Sequence, residues 1–371
     1  MRVRPSAGRA RAARAIAFAI PLAIAVALAP RPARGAGPTQ TGFALDTFEP
    51  SARGSEWFVL DSLDFRGDSR GAIGTVYEYA DKPFVVKNAG GGDRGAIVSH
   101  QLYVHAGASF VIQDRVRLSV DLPIALVDTG NTATFNGYTF PPPGEAALGD
   151  TPIAADLRIF GHYGELVTGT FGAEVIAPSG TRAQYTGDGK TRFLPRFQIA
   201  GIFRDLGWAA RIGVLLRTGD DPIAGQTRGD AFVFGASLGW RPNQGKLVVG
   251  PEIYGSASLT EGSAANTPLE ALLGAHYAFA EDWRVGLGVG PGLSSAIGTP
   301  TLRAALSIEF VAGAESERAK KPIAPPPPDK DGDGIQDSVD ACPSEKGEPN
   351  ADPESNGCPP DENDETPEAP R

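Results

Sequence analysis

Cysteine, basic charge and helical periodicity are what this chain lacks. Two cysteines in 371 residues cannot supply a disulfide scaffold, although one bridge is possible in an oxidising compartment. Charged residues make up 21% against 41% hydrophobic, which excludes wholesale disorder, a state that needs dense charge and few apolar groups. The 34 basic residues fall short of the 44 acidic ones, for a net charge of -10. Seven arginines and no acid lie in residues 1–35, so the remainder carries -17, of which -10 sits between Gly313 and Arg371. A basic face, the minimum footprint of a nucleic-acid partner, is therefore not expected. With Gly 47 and Pro 32 together near a fifth of the chain, a helical bundle is excluded as well.

What is present begins with an export signal. Arg2, Arg4, Arg9, Arg11 and Arg14 precede the apolar run Ala15 to Ala29, and small residues follow around Ala33-Arg34-Gly35-Ala36. This order predicts a secretory signal over 1–35. The run is shorter than the ~20 residues that span a bilayer as a helix, and Pro21 interrupts it.

After a lead-in segment, 36–70, one pattern returns about twelve times. Phe232, Phe234, Ala236, Leu238 and Trp240 share one parity; Val233, Gly235, Ser237 and Gly239 share the other. Val116, Leu118, Val120, Leu122, Ile124 and Leu126 alternate in the same way with Arg117, Ser119, Asp121, Pro123 and Ala125. Each such run predicts a strand with one greasy face. Short links (113–115, 162–165, 204–207, 241–245, 280–282) take turns with long polar or Gly/Pro-rich ones (88–95, 128–152, 178–191, 219–230, 258–268, 294–300). The expected fold is all-β: an antiparallel up-and-down transmembrane β-barrel of about 12 strands over 71–312, with short periplasmic turns and long extracellular loops. An even strand count predicts that both termini are periplasmic. Phe110, Tyr163, Phe203, Trp208, Trp240, Phe279, Trp283 and Phe310, beside the short turns, are expected to form an aromatic girdle. A soluble secreted β-sandwich is the alternative architecture.

If the apolar parity faces lipid, the lumen receives Arg117, Asp121, Asp156, Arg158, Glu174, Arg196, Arg211, Arg217, Glu252, Glu270, His276, Arg284, Arg303 and Glu309. Both signs occur in comparable number, which fits either a barrel packed with paired charges or a narrow pore for small solutes. Outer-membrane lipids are the expected surroundings. The longest link, 128–152, could plug or cover the bore. No catalytic site is predicted. Outer-membrane phospholipases are similar in strand number and calcium use but need a Ser–His pair. Of the four histidines, His100 falls on the lipid parity with Ser99 facing the other way, His105 and His276 face the lumen, and His162 lies in a turn.

Behind Pro325 to Pro328, a spacer within the linker 313–328, comes Asp329-Lys330-Asp331-Gly332-Asp333-Gly334-Ile335-Gln336-Asp337-Ser338-Val339-Asp340-Ala341-Cys342-Pro343. Carboxylates at alternate positions around a glycine bend have the spacing of a calcium loop. Asp329, Asp331, Asp333, Asp337 and Asp340 would be ligands, with the Ile335 carbonyl at the seventh position. Asp340 in place of a bidentate Glu, and the lack of flanking helices, exclude a regulatory EF-hand. The spacing D-x-D-x-D-G-x-x-D-x-x-D-x-C-P, with Asn350 to Pro359 behind it, resembles a thrombospondin type 3 repeat over 329–360. That resemblance implies a bound calcium and a Cys342–Cys358 disulfide.

An exported barrel, a Pro-rich hinge and such a repeat are together similar to OmpA-family outer-membrane proteins. Phe43-Ala44-Leu45-Asp46, Phe48-Glu49-Pro50-Ser51 and Gly54-Ser55-Glu56-Trp57-Phe58 resemble the start of the barrel in that family. The resemblance implies an outer-membrane structural or passive-channel protein with a periplasmic stalk. In the family the repeat usually leads to a peptidoglycan-binding domain. Here only the acidic stretch 361–371 follows, so peptidoglycan binding is not expected of this chain. An outer-membrane hydrolase of the phospholipase type and a secreted calcium-binding adhesion protein are the alternatives.

Overall fold

The computed structural model describes residues 38–87, 93–219, 221–224, 226–260, 267–313 and 328–359. The expected signal (1–35), most of the linker 313–328 and the acidic stretch 361–371 lie outside them. In chain order the strands are β1 (Ser69–Lys87), β2 (Asp93–Ile112), β3 (Val116–Thr129), β4 (Ala133–Phe135), β5 (Tyr138–Phe140), β6 (Ala147–Leu148), β7 (Thr151–Phe160), β8 (Thr168–Ala177) and β9 (Arg192–Phe203). They continue with β10 (Leu206–Arg217), β11 (Asp221–Ile223), β12 (Gln226–Arg228), β13 (Ala231–Trp240), β14 (Leu247–Ser258), β15 (Leu269–Ala278), β16 (Trp283–Pro291) and β17 (Leu302–Val311).

Twelve of these, all except β4, β5, β6, β11 and β12, form one antiparallel sheet in which β1 pairs with β17 and closes the ring. Closure is what a strand needs in hydrocarbon, because no water is there to satisfy an open edge. The barrel extends from Ser69 to Val311, two residues earlier at its start than the alternation indicates. Short turns gather at one end and long connections at the other, as the link lengths predict. β4 and β5 form a hairpin inside the long connection after β3, and β11 and β12 form another after β10.

Period two sorts the side chains. Ile73, Leu118, Ile153, Phe171, Ile212, Leu238, Leu273 and Leu287 are exposed on the outer face. Arg117, Asp121, Asp156, Glu174, Arg196, Arg211, Glu252, Glu270, His276, Arg284, Arg303 and Glu309 are buried on the inner one. Arg158 and Arg217 are only half-buried, near opposite mouths. A sandwich would bury its apolar face and expose its charges; here the order is reversed, so the barrel's natural surroundings are a bilayer. Register shifts interrupt the alternation between β1 and β2, between β7 and β8, and between β2 and β3, where the shift lies between Leu102 and Tyr103. Leu126 and Val127 consequently both face outward, and Asp128 turns in.

One expectation needs correction. Phe110, Phe203, Trp240, Phe279 and Trp283 are exposed beside the short turns, but Tyr163 is not part of that girdle. Its hydroxyl donates to Glu56 Oε1 at 2.7 Å, and Arg66 stacks over its ring at 4.1 Å. The course of the chain ahead of the barrel is a separate finding. Ser69 and Val311 do sit at the short-turn end, as an even count requires, but the chain ahead of Ser69 crosses the lumen. Thr39 therefore bridges to Thr139, within the long connection at the opposite end.

Candidate functional site

The lumen is filled by residues 43–65, the stretch whose sequence reads as a lead-in to the barrel. Phe43, Leu45, Phe48, Trp57, Phe58, Val59, Leu60, Leu63 and Phe65 are each no more than 4% exposed. No alternation directs this stretch into a strand, and its own side chains fold it. Asp46 and Asp61 accept the N–H groups of Phe48 and Leu63 two residues on, a local bond that competes with sheet pairing. Ser51 N–H donates to the Phe58 carbonyl, and Ser51 Oγ to that of Trp57, which turns the chain back on itself.

From the long-loop end downward, the wall holds this segment at every level. Gln40 N–H donates to the Thr139 carbonyl and Leu45 N–H to that of Tyr185. Arg303 pairs with Asp46 at 3.1 Å, and Thr47 Oγ1 donates to Glu270 at 2.6 Å. Arg53 reaches Asp121 at 2.6 Å and the His105 carbonyl at 2.9 Å. Below them, Glu252 accepts the backbone N–H groups of Phe58, Val59 and Leu60 at 2.7, 2.9 and 2.9 Å. Arg117 forks onto Asp61, with Nη1 and Nη2 at 3.0 and 2.5 Å. Arg241 meets Glu56 at 2.8 Å, and Asp64 is held by Arg66 and Arg70 at the short-turn mouth. Charge-assisted bonds of this kind are about twice as strong as neutral ones.

The wall is shaped to its contents. An added Cβ on inward-facing Gly107 would lie 2.6 Å from the Arg53 guanidinium, on Gly239 2.6 Å from the Trp57 ring, and on Gly288 2.9 Å from the Phe58 ring. Free space beside the segment includes pockets of about 110, 60 and 40 Å³, room for small clusters of water. Wall charges also pair among themselves: Arg196 joins Asp156 and Glu174, and Arg303 joins Glu78 and Glu270.

At the long-loop end, Phe43 and Leu45 cluster with Phe84, Val86, Ile97, Val98, Phe140, Tyr185, Ile223 and Ala224. The connection 128–152 thus helps to cover the bore, contributing Phe140, while the N-terminal segment fills it. Asp188, in the connection between β8 and β9, anchors the cover. It accepts the Ala44 N–H at 2.8 Å and pairs with Arg192, Arg217 and Arg228. Burial by itself would raise its carboxyl, but those three guanidiniums and the Ala44 amide hold it well below the ordinary carboxylate range.

No family profile matches the chain, and no curated protein does. Its fold is similar to that of an outer membrane channel from Pseudomonas putida F1, at 11% identity and a TM-score of 0.47, covering 67% of this chain and 97% of that one. The NanC porin is similar at 9% identity and a TM-score of 0.43, covering 65% and 98%, and the KdgM porin at 12% and 0.39, covering 64% and 98%. At these levels the reading of this barrel rests on its own closure, faces and contents.

The sequence-predicted residues fall in three places. Most of the inward charges lie in the lumen as described, while Arg158 donates to the Asp114 carbonyl at the short-turn mouth and Arg217 joins Asp188 in the cover. His100, on the outer face, contacts the Tyr79 hydroxyl at 2.8 Å and Asp81 at 3.3 Å, and no serine hydroxyl is bonded to it among the described residues. His162 is exposed and meets Glu165 at 3.2 Å. In the 329–359 unit, carboxylate oxygens of Asp329, Asp331 and Asp333 come within 4.8 Å of one another, and Cys342 and Cys358 are joined in a disulfide. Gly334 adopts φ +95°, the sharp bend such a loop demands. Asp337 is occupied by the Lys330 N–H, and Asp340 by that of Cys342 through Oδ1, leaving Asp340 Oδ2 buried without a partner.

Missed from sequence were Asp46, Arg53, Glu56 and Asp61 on the segment, and Glu78 and Arg241 on the wall. The available signal was glycine on the inward parity: Gly235, Gly239, Gly274 and Gly288 leave a volume that only another part of the chain fills.

Proposed function

We propose that the chain is an outer-membrane barrel acting as a passive channel for small hydrophilic solutes, kept shut at rest by residues 43–65. The observation that carries this reading is the wall itself. It is polar and charged where a permanent core would be apolar, and it is hollowed by glycines where the segment's large side chains lodge. With the segment withdrawn, wall pairs such as Arg196 with Asp156 and Glu174 still satisfy one another and line a wet bore. With short turns periplasmic and long loops outside, the chain around Thr39 belongs to the outer face.

The test is conductance in planar bilayers of the full chain against a variant lacking residues 38–66. Steady conductance from the deletion variant, with the full chain mostly closed, supports the channel. A deletion variant that folds, as judged by heat-modifiable migration, yet passes no current would leave a structural barrel.

We further propose that 329–360 is a calcium-binding, disulfide-linked stalk of the thrombospondin type 3 kind behind the linker 313–328, as in OmpA-family proteins. The clustered Asp329, Asp331 and Asp333 and the unpartnered Asp340 Oδ2 support it. Calcium titration of the full chain with Asp331 and Asp333 changed to Ala should show the loss of one site. Unchanged uptake would remove the stalk from the reading.

A further inference from the structure

We propose that His105, Glu78 and Asp46 form a binding site for a divalent transition-metal ion of the zinc kind, tying the lumen-filling segment to the wall. Glu78 stands on β1, His105 on β2 and Asp46 on the segment, so one ion would bridge two strands and the stretch they enclose. One donor atom from each lies within 4.8 Å of the others.

Two of the three side chains are deeply buried and have a polar atom with no partner. Glu78 is 1% and His105 3% exposed, and neither Glu78 Oε2 nor His105 Nε2 has a hydrogen-bond partner among the described residues. These two atoms face each other at 3.8 Å. Tetrahedral ligands around zinc are spaced ~3.4 Å apart, so the pair needs only a few tenths of an ångström of closure. The other imidazole nitrogen, Nδ1, lies 2.8 Å from Asp121 Oδ2. A carboxylate on the far ring nitrogen fixes the tautomer that turns a lone pair toward a metal, the usual outer support of a ligating histidine.

Charge supports the same occupant. The bonded cluster holds four carboxylates, Asp46, Glu78, Asp121 and Glu270, against two guanidiniums, Arg53 and Arg303. The excess of two negative charges is what one divalent cation removes while His105 stays neutral. A proton on His105 would remove only half. Arg303 engages Glu78 through Oε1 and Asp46 through Oδ1, which leaves the second oxygen of each carboxylate for the ion. An imidazole beside two carboxylates selects zinc-like ions over the all-oxygen preference of calcium and magnesium.

The role as a pin rests on the reading of residues 43–65 as the closing element; the binding itself does not. Zinc is titrated calorimetrically into the full refolded chain in detergent, with millimolar calcium present to occupy the 329–360 loop. One equivalent is expected, not displaced by millimolar magnesium, and at least tenfold weaker in both H105A and D46N. D46N changes the segment alone and keeps its shape, and heat-modifiable migration verifies the fold of each variant. No zinc uptake, or uptake equal in wild type and D46N, overturns the site. Conductance of the 38–66 deletion, measured without zinc, judges the closing element separately.

Discussion

Glu252, wholly buried on β14, accepts the backbone N–H of Val59 at 2.9 Å, and its two oxygens also take those of Phe58 and Leu60. Three successive amides of the segment thus converge on one wall carboxylate. Such a nest of N–H dipoles suits an anion, and it registers the segment against the wall without covalent help.

Glu252→Gln replaces a charged acceptor with an amide of the same shape. The three N–H groups then share one good oxygen, at a cost of about 1–3 kcal/mol. Heat-modifiable migration should show a lower unfolding temperature, and bilayer recordings more frequent opening. A variant as closed and as stable as wild type would mean that Glu252 does not secure the segment.

Asp61 and Arg117 form a buried pair that Arg117 shares with Asp156. Truncating Asp61 to Ala strands part of the guanidinium's charge, and breaking a buried pair costs roughly 3–5 kcal/mol. A double-mutant cycle with Arg117→Met should return a coupling well above the few tenths expected of independent sites. Additive effects would count against the pair as an anchor.

Leu287 lies mid-strand on β16 and is 66% exposed. If that face meets lipid, Leu287→Arg should cost about 2–4 kcal/mol in the folding equilibrium into vesicles. On a soluble protein the same change would be neutral, so an unaffected equilibrium would argue against the membrane placement.

The Asp188 carboxyl is depressed below its unfolded value, so its contribution to the cover is complete above the ordinary aspartate range near 3.9. That contribution is lost only as pH falls through the depressed value. Protection of the Ala44 amide from hydrogen exchange should therefore persist at about pH 4 in wild type and be weak at every pH in Asp188→Asn. Loss of wild-type protection between pH 5 and pH 4 would contradict the pairing with Arg192, Arg217 and Arg228.

Gly107→Ala places a methyl group against the buried Arg53 guanidinium. The Arg53 guanidinium has to shift to admit it, which strains its bonds to Asp121 and the His105 carbonyl, and overpacking of this sort costs typically about 1–3 kcal/mol. Thermal unfolding checks the loss, and a shift smaller than that of Ala at outward-facing Gly71 would show that the fit is looser than the distances indicate.

The barrel was readable from the chain because its information is local. Alternation with period two marks each strand, link length marks each end, and the bilayer forces the strands to close, so β1 must meet β17 and Arg117, Glu252 and Arg303 must point inward. In 329–359 the short spacing of Asp329, Asp331 and Asp333 also acts locally and brings their carboxylates together, and the Cys342–Cys358 disulfide implied by the resemblance is formed. What fills the lumen was not readable. Residues 43–65 carry no period, and their partners lie up to 257 positions away, as Asp46 does from Arg303. Which carboxylate meets which guanidinium depends on the order of strands around the ring and on where the inward glycines leave room. Those are properties of the assembled barrel, so the juxtaposition of Asp46, Glu78 and His105 exists only once it has closed around its own N-terminal segment.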